Sequence, residues 1–270
     1  MESKEKILVV DDELPVCRSI ASALELEGYR VDTVQSGEEA LEREHGNGYD
    51  VFLVDLMMPG MSGMEVLQAV MERKPKPVVI MITGYPTMKT AVQAVKLGAF
   101  DYLPKPFTPK ELRILVSRGL GRRRLIEQAA AAGRQPGVAG PSMTKDIYCI
   151  PGHSWARVEA DGKVRIGVEE TFLISLRQVS SVEFPYEGER LSQGEACLWL
   201  TDKQNNLHRI WAPLSGQVVA IHTELKMDPS QILRDPYGSG WLLLIEPERL
   251  EEDLENLVPL SHHDIENAEP

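Results

Sequence analysis

Cysteine is scarce in this 270-residue sequence, and the three present, Cys17, Cys149 and Cys197, lie far apart. That spacing gives neither a disulfide framework nor a metal pattern, and it reads as reduced thiols in a cytoplasmic protein. No apolar run approaches the ~20 residues needed to span a bilayer, so no membrane partner is expected. The charged start, MESKEKILVVDDE, leads straight into a strand and shows no secretory leader. Positive charge is also short: a net charge of −12 argues against a general nucleic-acid surface. Residues 246–270 carry nine acidic and one basic side chain, read as a solvated helix face followed by a disordered tail over 261–270. Ser/His/Asp spacing, a glycine-rich phosphate loop and a Cys/His ligand pattern are all missing. What is there is an ordinary globular balance, 43% hydrophobic and 26% charged, in a length that suits about two domains.

The first half alternates short apolar runs with helical periodicity. KILVV at 6–10 runs into Asp11 and Asp12, and Cys17, Ile20, Ala21 and Leu24 then repeat at helical spacing. Strands follow at 29–34 and 51–54, with a helix at about 37–45 between them. A helix at 63–73 leads to the strand PVVIMIT, ending at Thr83. Met88, Ala91, Val92 and Val95 then form one helical face, a strand covers about 100–103, and a fifth helix opens at Thr108-Pro109. Its apolar face is Leu112, Leu115, Val116 and Leu120, and Gly119 and Gly121 weaken it. Five strands alternating with five helices predict an α/β doubly wound parallel sheet covered on both faces.

Ligands bind such sheets at the carboxyl ends of the strands. The stretch YDVFLVDLMMPGMSG ends a buried strand on Asp55 and turns at once through Pro59, Gly60, Ser62 and Gly63. Taken alone, Asp55 is equally well a helix cap. Asp11, Asp12, Asp55 and Thr83 together end successive strands, and Lys105 follows the fifth. Clustered carboxylates repel and call for a cation. All-oxygen ligation suits Mg²⁺, while a lysine and a hydroxyl beside it suit a phosphoryl group.

The stretches ILVVDDE, VDLMMPGMSG and MITGYPTMKTAVQAVKLGAFDYLPKPF resemble the receiver domain of two-component response regulators, over about residues 5–120. The resemblance implies a flavodoxin-like strand order 2-1-3-4-5. It implies Asp55 as phospho-acceptor and a sensor histidine kinase as partner. Asp11, Asp12, Asp55 and the Met57 backbone carbonyl would hold Mg²⁺. Thr83 and Lys105 would bind the phosphoryl group, and Tyr102 would be the switch aromatic, filling space that Thr83 vacates. A homodimer through the fourth and fifth helices is a further expectation. Met57 and Tyr85, two residues after Asp55 and Thr83, are neither acidic nor amides, so a slow spontaneous dephosphorylation is expected.

Beyond 120 a helical extension carries Arg122-Arg123-Arg124, read as a solvated face. Residues 133–142, GRQPGVAGPS, form a flexible hinge. The expected domains are therefore 1–120, a connecting 121–142, and 143–260. From Ile147 the pattern changes to short alternating strands, with Val164/Ile166/Val168, Val182/Phe184, Leu198/Leu200 and Val219/Ile221 in register. A short helix with Phe172, Leu173 and Leu176 and a terminal helix with Leu250, Leu254 and Leu257 complete a β-rich sandwich. His153 and Trp155 read as a packed corner, and His262-His263 as solvated.

HSWARVEADGKVRIGV, VEFPYEGERLSQGE, WAPLSGQVVAIHTEL and DPYGSGWLLLIEP resemble the H protein of the glycine cleavage system, a lipoyl-carrier barrel-sandwich fold, over about 147–258. The family's lipoyl lysine sits at a hairpin tip in a motif close to ESVKA. Here the hairpin reads LTDKQNNLHR. Counting from either side puts Gln204 or Asn205 at the lysine position, and the only lysine is Lys203, with Asp202 as its expected neighbour on a polar turn. The favoured expectation is an unlipoylated interaction module with its own protein target. The alternative is a carrier lipoylated on Lys203 and gated by phosphorylation. Chemistry beyond self-phosphotransfer and autodephosphorylation is not expected.

Overall fold

A computed structural model describes residues 5–131 and 147–260, apart from 47, 86, 175 and 177. The expected hinge, the tail and His262-His263 lie outside the described residues. The chain divides into two compact units, Met1–Gly133 and Arg134–Pro270.

In the first unit, β1 (Lys6–Val10), β2 (Arg30–Val34), β3 (Val51–Asp55), β4 (Val78–Thr83) and β5 (Asp101–Pro104) form one sheet in the order 2-1-3-4-5. All its pairings are parallel. β3 and β4 are buried along their whole length, as a strand covered on both faces must be. The helices are α1 (Leu14–Glu25), α2 (Gly37–Glu44), α3 (Gly63–Met71), α4 (Met88–Lys96) and α5 (Pro109–Ala131). α1 buries Cys17, Ile20, Ala23 and Leu24, so Ala23 rather than Ala21 faces the sheet. One core cluster joins these α1 side chains to Ile7, Val9, Leu53, Ile80 and Leu103 of the sheet and to Leu112, Val116 and Leu120 of α5. A Thr108–Glu111 box starts α5: Glu111 N–H donates to Thr108 Oγ1 at 3.2 Å and Thr108 N–H to Glu111 Oε2 at 2.8 Å.

α5 runs unbroken through both of its glycines. Gly119 serves packing there, because a Cβ would stand 2.5 Å from Val78 Cγ1 and 3.2 Å from the Phe100 ring. The arginine run is tied down rather than simply solvated. Arg123 meets Asp50 at 2.9 Å and Glu127 at 2.8 Å, and Arg124 pairs with Glu5.

The second unit has a seven-stranded and a three-stranded sheet. The larger contains β6 (Ile147–Ile150), β7 (Ser154–Val158), β8 (Val164–Val168), β10 (Arg190–Leu191), β13 (Gly216–Ile221), β14 (Leu243–Pro247) and β15 (Val258–Pro259). The smaller contains β9 (Val179–Glu183), β11 (Ala196–Asp202) and β12 (Leu207–Trp211). Short helices α6 (Glu170–Ile174), α7 (Gln231–Arg234) and α8 (Leu250–Glu255) lie between strands. Trp155 is fully buried, and His153 stacks on Trp211 with ring centroids 4.0 Å apart.

Two alternations come out shifted. Val218 is buried where Val219 was expected, because a bulge between Val218 and Ala220 changes the phase of β13. In α8 it is Asp253, not Leu254, that is buried; its carboxylate accepts the Ser215 N–H at 2.6 Å.

Candidate functional site

The first unit gathers its polar strand ends at one edge. β3 stops on Asp55 because the chain turns directly into α3, which a Ser62–Glu65 capping box starts. Glycine is required at Gly63: a Cβ would come within 2.1 Å of the Asp55 carbonyl oxygen. The start of α3 therefore rests on the backbone of Asp55 and fixes where its carboxylate emerges.

Asp11, Asp12 and Asp55 each bring a carboxylate oxygen into one group, all within 4.8 Å of one another. Lys105 enters from the end of β5, its Nζ 2.7 Å from Asp11 Oδ2 and 2.9 Å from Asp55 Oδ2. Asp11 and Asp55 are buried, whereas Asp12 is exposed. Burial pushes the Asp11 carboxyl above its ordinary range, ahead of the Lys105 hydrogen bond that pulls it down. For Lys105 burial works downward, but the hydrogen bonds it donates to Asp11 and Asp55 outweigh it, and its pKa is raised. Three carboxylates against one ammonium leave the group short of positive charge. An all-oxygen set of this kind fits a hard divalent cation such as Mg²⁺.

Met57 follows on the rim, with its N–H 3.3 Å from Asp55 Oδ1 and its side chain exposed. Tyr85 is exposed as well, and its N–H donates to Thr83 Oγ1 at 3.1 Å. Thr83 is fully buried and its hydroxyl also meets that of Tyr102. Tyr102 is only 2% exposed and hydrogen-bonded to Thr90 at 2.9 Å.

Sequence reasoning missed two features here. Asp101 opens β5 as a buried carboxylate paired with buried Arg118, whose guanidinium lies over the Phe100 ring. The other is Thr90. Its only signal was a hydroxyl in the first turn of α4.

In the second unit the hairpin β11–β12 carries Lys203, Gln204 and Asn205 exposed at its turn. Asn205 takes the left-handed position, with φ 62°. Asp202 is not the partner of Lys203. It faces inward, accepts Asn206 N–H at 2.8 Å and Nδ2 at 3.1 Å, and lies 3.0 Å from His208 Nε2. Burial raises the Asp202 pKa, but the hydrogen bonds of His208 and Asn206 outweigh it, and the net shift is downward. The reason is register: Asp202 and His208 flank the turn with side chains on the same, buried side.

Residues 7–117 match the family model of the response regulator receiver domain, and residues 147–267 that of the glycine cleavage H-protein. The chain is 40% identical to the transcriptional regulatory protein ResD of Bacillus subtilis over 120 residues, 44% of this chain and 50% of ResD. It is 38% identical to the uncharacterized transcriptional regulatory protein YkoG of the same organism over 171 residues, 63% of this chain and 68% of YkoG. The chain thus spans about half the length of curated relatives such as ResD. A crystal structure of a glycine cleavage system H protein from Mycobacterium marinum is 28% identical, covering 46% of this chain and 97% of that one, with a TM-score of 0.39. The acidic edge of the parallel sheet and these matches lead to one statement: the chain belongs to the two-component response regulators through its receiver domain, and carries a glycine cleavage H-protein domain behind it.

Proposed function

We propose that Asp55 accepts a phosphoryl group from the phosphohistidine of a sensor histidine kinase, and that this switches the binding of a protein target by the H-protein domain. The observation that carries the reading is Lys105, whose ammonium bridges Asp11 and Asp55 at 2.7 and 2.9 Å. A cation so placed suits the oxygens of a phosphoryl group on Asp55. In the transfer, an Asp55 oxygen forms the new P–O bond as the P–N bond to imidazole breaks. Asp55 supplies the electron pair, Lys105 draws on a phosphoryl oxygen, and Thr83 donates to another. Asp11, Asp12, Asp55 and the Met57 carbonyl would hold Mg²⁺, which when bound supplies charge neutralisation at the phosphoryl oxygens. No other enzymatic activity is proposed. The setting is the cytoplasm, and dimerisation through α4 and α5 on phosphorylation belongs to the same reading.

Incubation of the full chain with acetyl phosphate and Mg²⁺ tests this by intact mass. One phosphoryl adduct is expected, absent from Asp55→Asn and from samples treated with chelator. An adduct that persists in Asp55→Asn overturns the assignment.

The exposure of Lys203 at the hairpin turn favours a second reading, a lipoyl carrier gated by phosphorylation. Against it stands the longer loop, in which Gln204 or Asn205 rather than Lys203 falls at the family's lysine position, with Asn205 held left-handed. The intact mass of protein purified from its own host should show no lipoyl adduct; an adduct on Lys203 would establish the carrier instead.

A further inference from the structure

A chain of hydroxyl groups leads away from the acidic pocket. Thr83, at the end of β4, meets the Tyr102 hydroxyl. Tyr102 Oη lies 2.9 Å from Thr90 Oγ1. Thr90 Oγ1 in turn lies 2.9 Å from Thr87 Oγ1 and donates to the Thr87 carbonyl at 2.9 Å. Thr87 caps α4, its hydroxyl accepting the Thr90 N–H at 3.2 Å. Four hydroxyls in succession therefore join the end of β4, the middle of β5 and the first turn of α4.

A threonine inside a helix loses side-chain freedom and gains little from the helix itself. Thr90 is half-buried, with its hydroxyl directed at a phenol that is 2% exposed. A buried phenol needs a hydrogen-bond partner to stay buried. The ring has covered its apolar body, and what decides whether it stays is the fate of its Oη.

We infer that Thr90 is a positioning residue of the receiver switch: its hydroxyl latches Tyr102 in the buried position and ties that position to the first turn of α4. The inference rests on the reading of Tyr102 as the switch aromatic. Valine matches threonine in shape but removes one of the phenol's partners, leaving Thr83 and the Thr87 backbone. Losing one net hydrogen bond multiplies the population of the open ring about fivefold. Because coupling is reciprocal, a variant that releases Tyr102 also weakens any hold of the phosphoryl group on the same ring.

The test is nitration of the full chain with tetranitromethane, mapped by peptide mass spectrometry. Tyr85, 78% exposed, serves as the internal standard. In Thr90→Val the nitration of Tyr102 relative to Tyr85 should rise about fivefold. In Thr90→Ser, which keeps the hydroxyl, the ratio should stay within about twofold of the unaltered protein. Equal protection of Tyr102 in Thr90→Val and the unaltered protein overturns the latch. So does equal loss in the serine and valine variants, which would assign the effect to packing. A second measurement uses Tyr102→Phe, which removes the same hydrogen bond from the other side. In that background Thr90→Val should change the level of Asp55 phosphorylation by acetyl phosphate no further, and an undiminished effect also counts against the latch. The two readings separate cleanly. An unaltered protein that takes no phosphate sinks the receiver assignment, while the nitration ratio still decides the role of Thr90.

Discussion

Asp55 and Asp202 make an instructive pair. Each closes a strand, each is followed by a turn, and their exposures are 5% and 6%. Burial does not distinguish them; their partners do. Asp202 spends both oxygens on groups four and six residues away, the Asn206 amides and His208. Its hydrogen bonds close the hairpin on itself. Asp55 is held by the ammonium of Lys105, fifty residues distant in the chain, and by one long contact from Met57 N–H. It also shares its space with two further carboxylates. A carboxylate saturated by local donors is a structural lock. One balanced by a single remote cation and crowded by like charge is poised to take a ligand.

Removing each carboxylate should break this symmetry. Asp202→Ala leaves His208 buried beside an empty place and should cost the second unit about 1–3 kcal/mol. All four tryptophans, Trp155, Trp199, Trp211 and Trp241, lie in that unit, so urea unfolding followed by tryptophan fluorescence reads it alone. An unchanged midpoint would mean that the pair contributes nothing. The pKa of Asp202 is lowered in the fold, so its stabilisation is full above its ordinary value of 3.8 and lost as pH falls through the folded value.

Asp11 runs the other way. Its pKa is raised, so the folded protein holds that proton more tightly than the unfolded chain does. Its charge weighs against folding at neutral pH, and the weight lifts as pH falls through the raised value. Asp11→Asn should therefore raise the stability of the metal-free receiver at neutral pH. It should also blunt the further stabilisation by Mg²⁺. Thermal melts by circular dichroism with and without Mg²⁺ measure both, and a lower melting temperature for the variant would contradict the account.

The smallest effect concerns the rim. Met57 is exposed beside Asp55 and has no polar group to orient water. Met57→Asn should shorten the phosphoryl lifetime several-fold, as amides that position attacking water do. Decay of the phosphorylated mass over time is the measurement, and an unchanged rate removes Met57 from the account.

The acidic pocket was legible in the sequence because a parallel sheet writes its strands as apolar runs and its sites at their ends. Asp11, Asp12, Asp55, Thr83 and Lys105 each follow such a run. The Asp202–His208 pair was not legible, because which side chains of a hairpin face inward depends on turn length and register. The bulge after Val218 hid the phase of β13 for the same reason. Thr90 was invisible because helical spacing places it at the margin of an apolar face, and only the fold brings a phenol to it. The 101–118 ion pair likewise joins a strand start to a helix interior, a contact no local pattern announces.

The buried Tyr102 has one more consequence, on the reading of that ring as the switch. A signalling device is described by its basal output and its gain. Each hydroxyl that holds the ring inward adds to the share of time it spends there. Phosphorylation can act only through the difference in its hold on the two ring positions. Basal output and gain are then set by the same few hydrogen bonds.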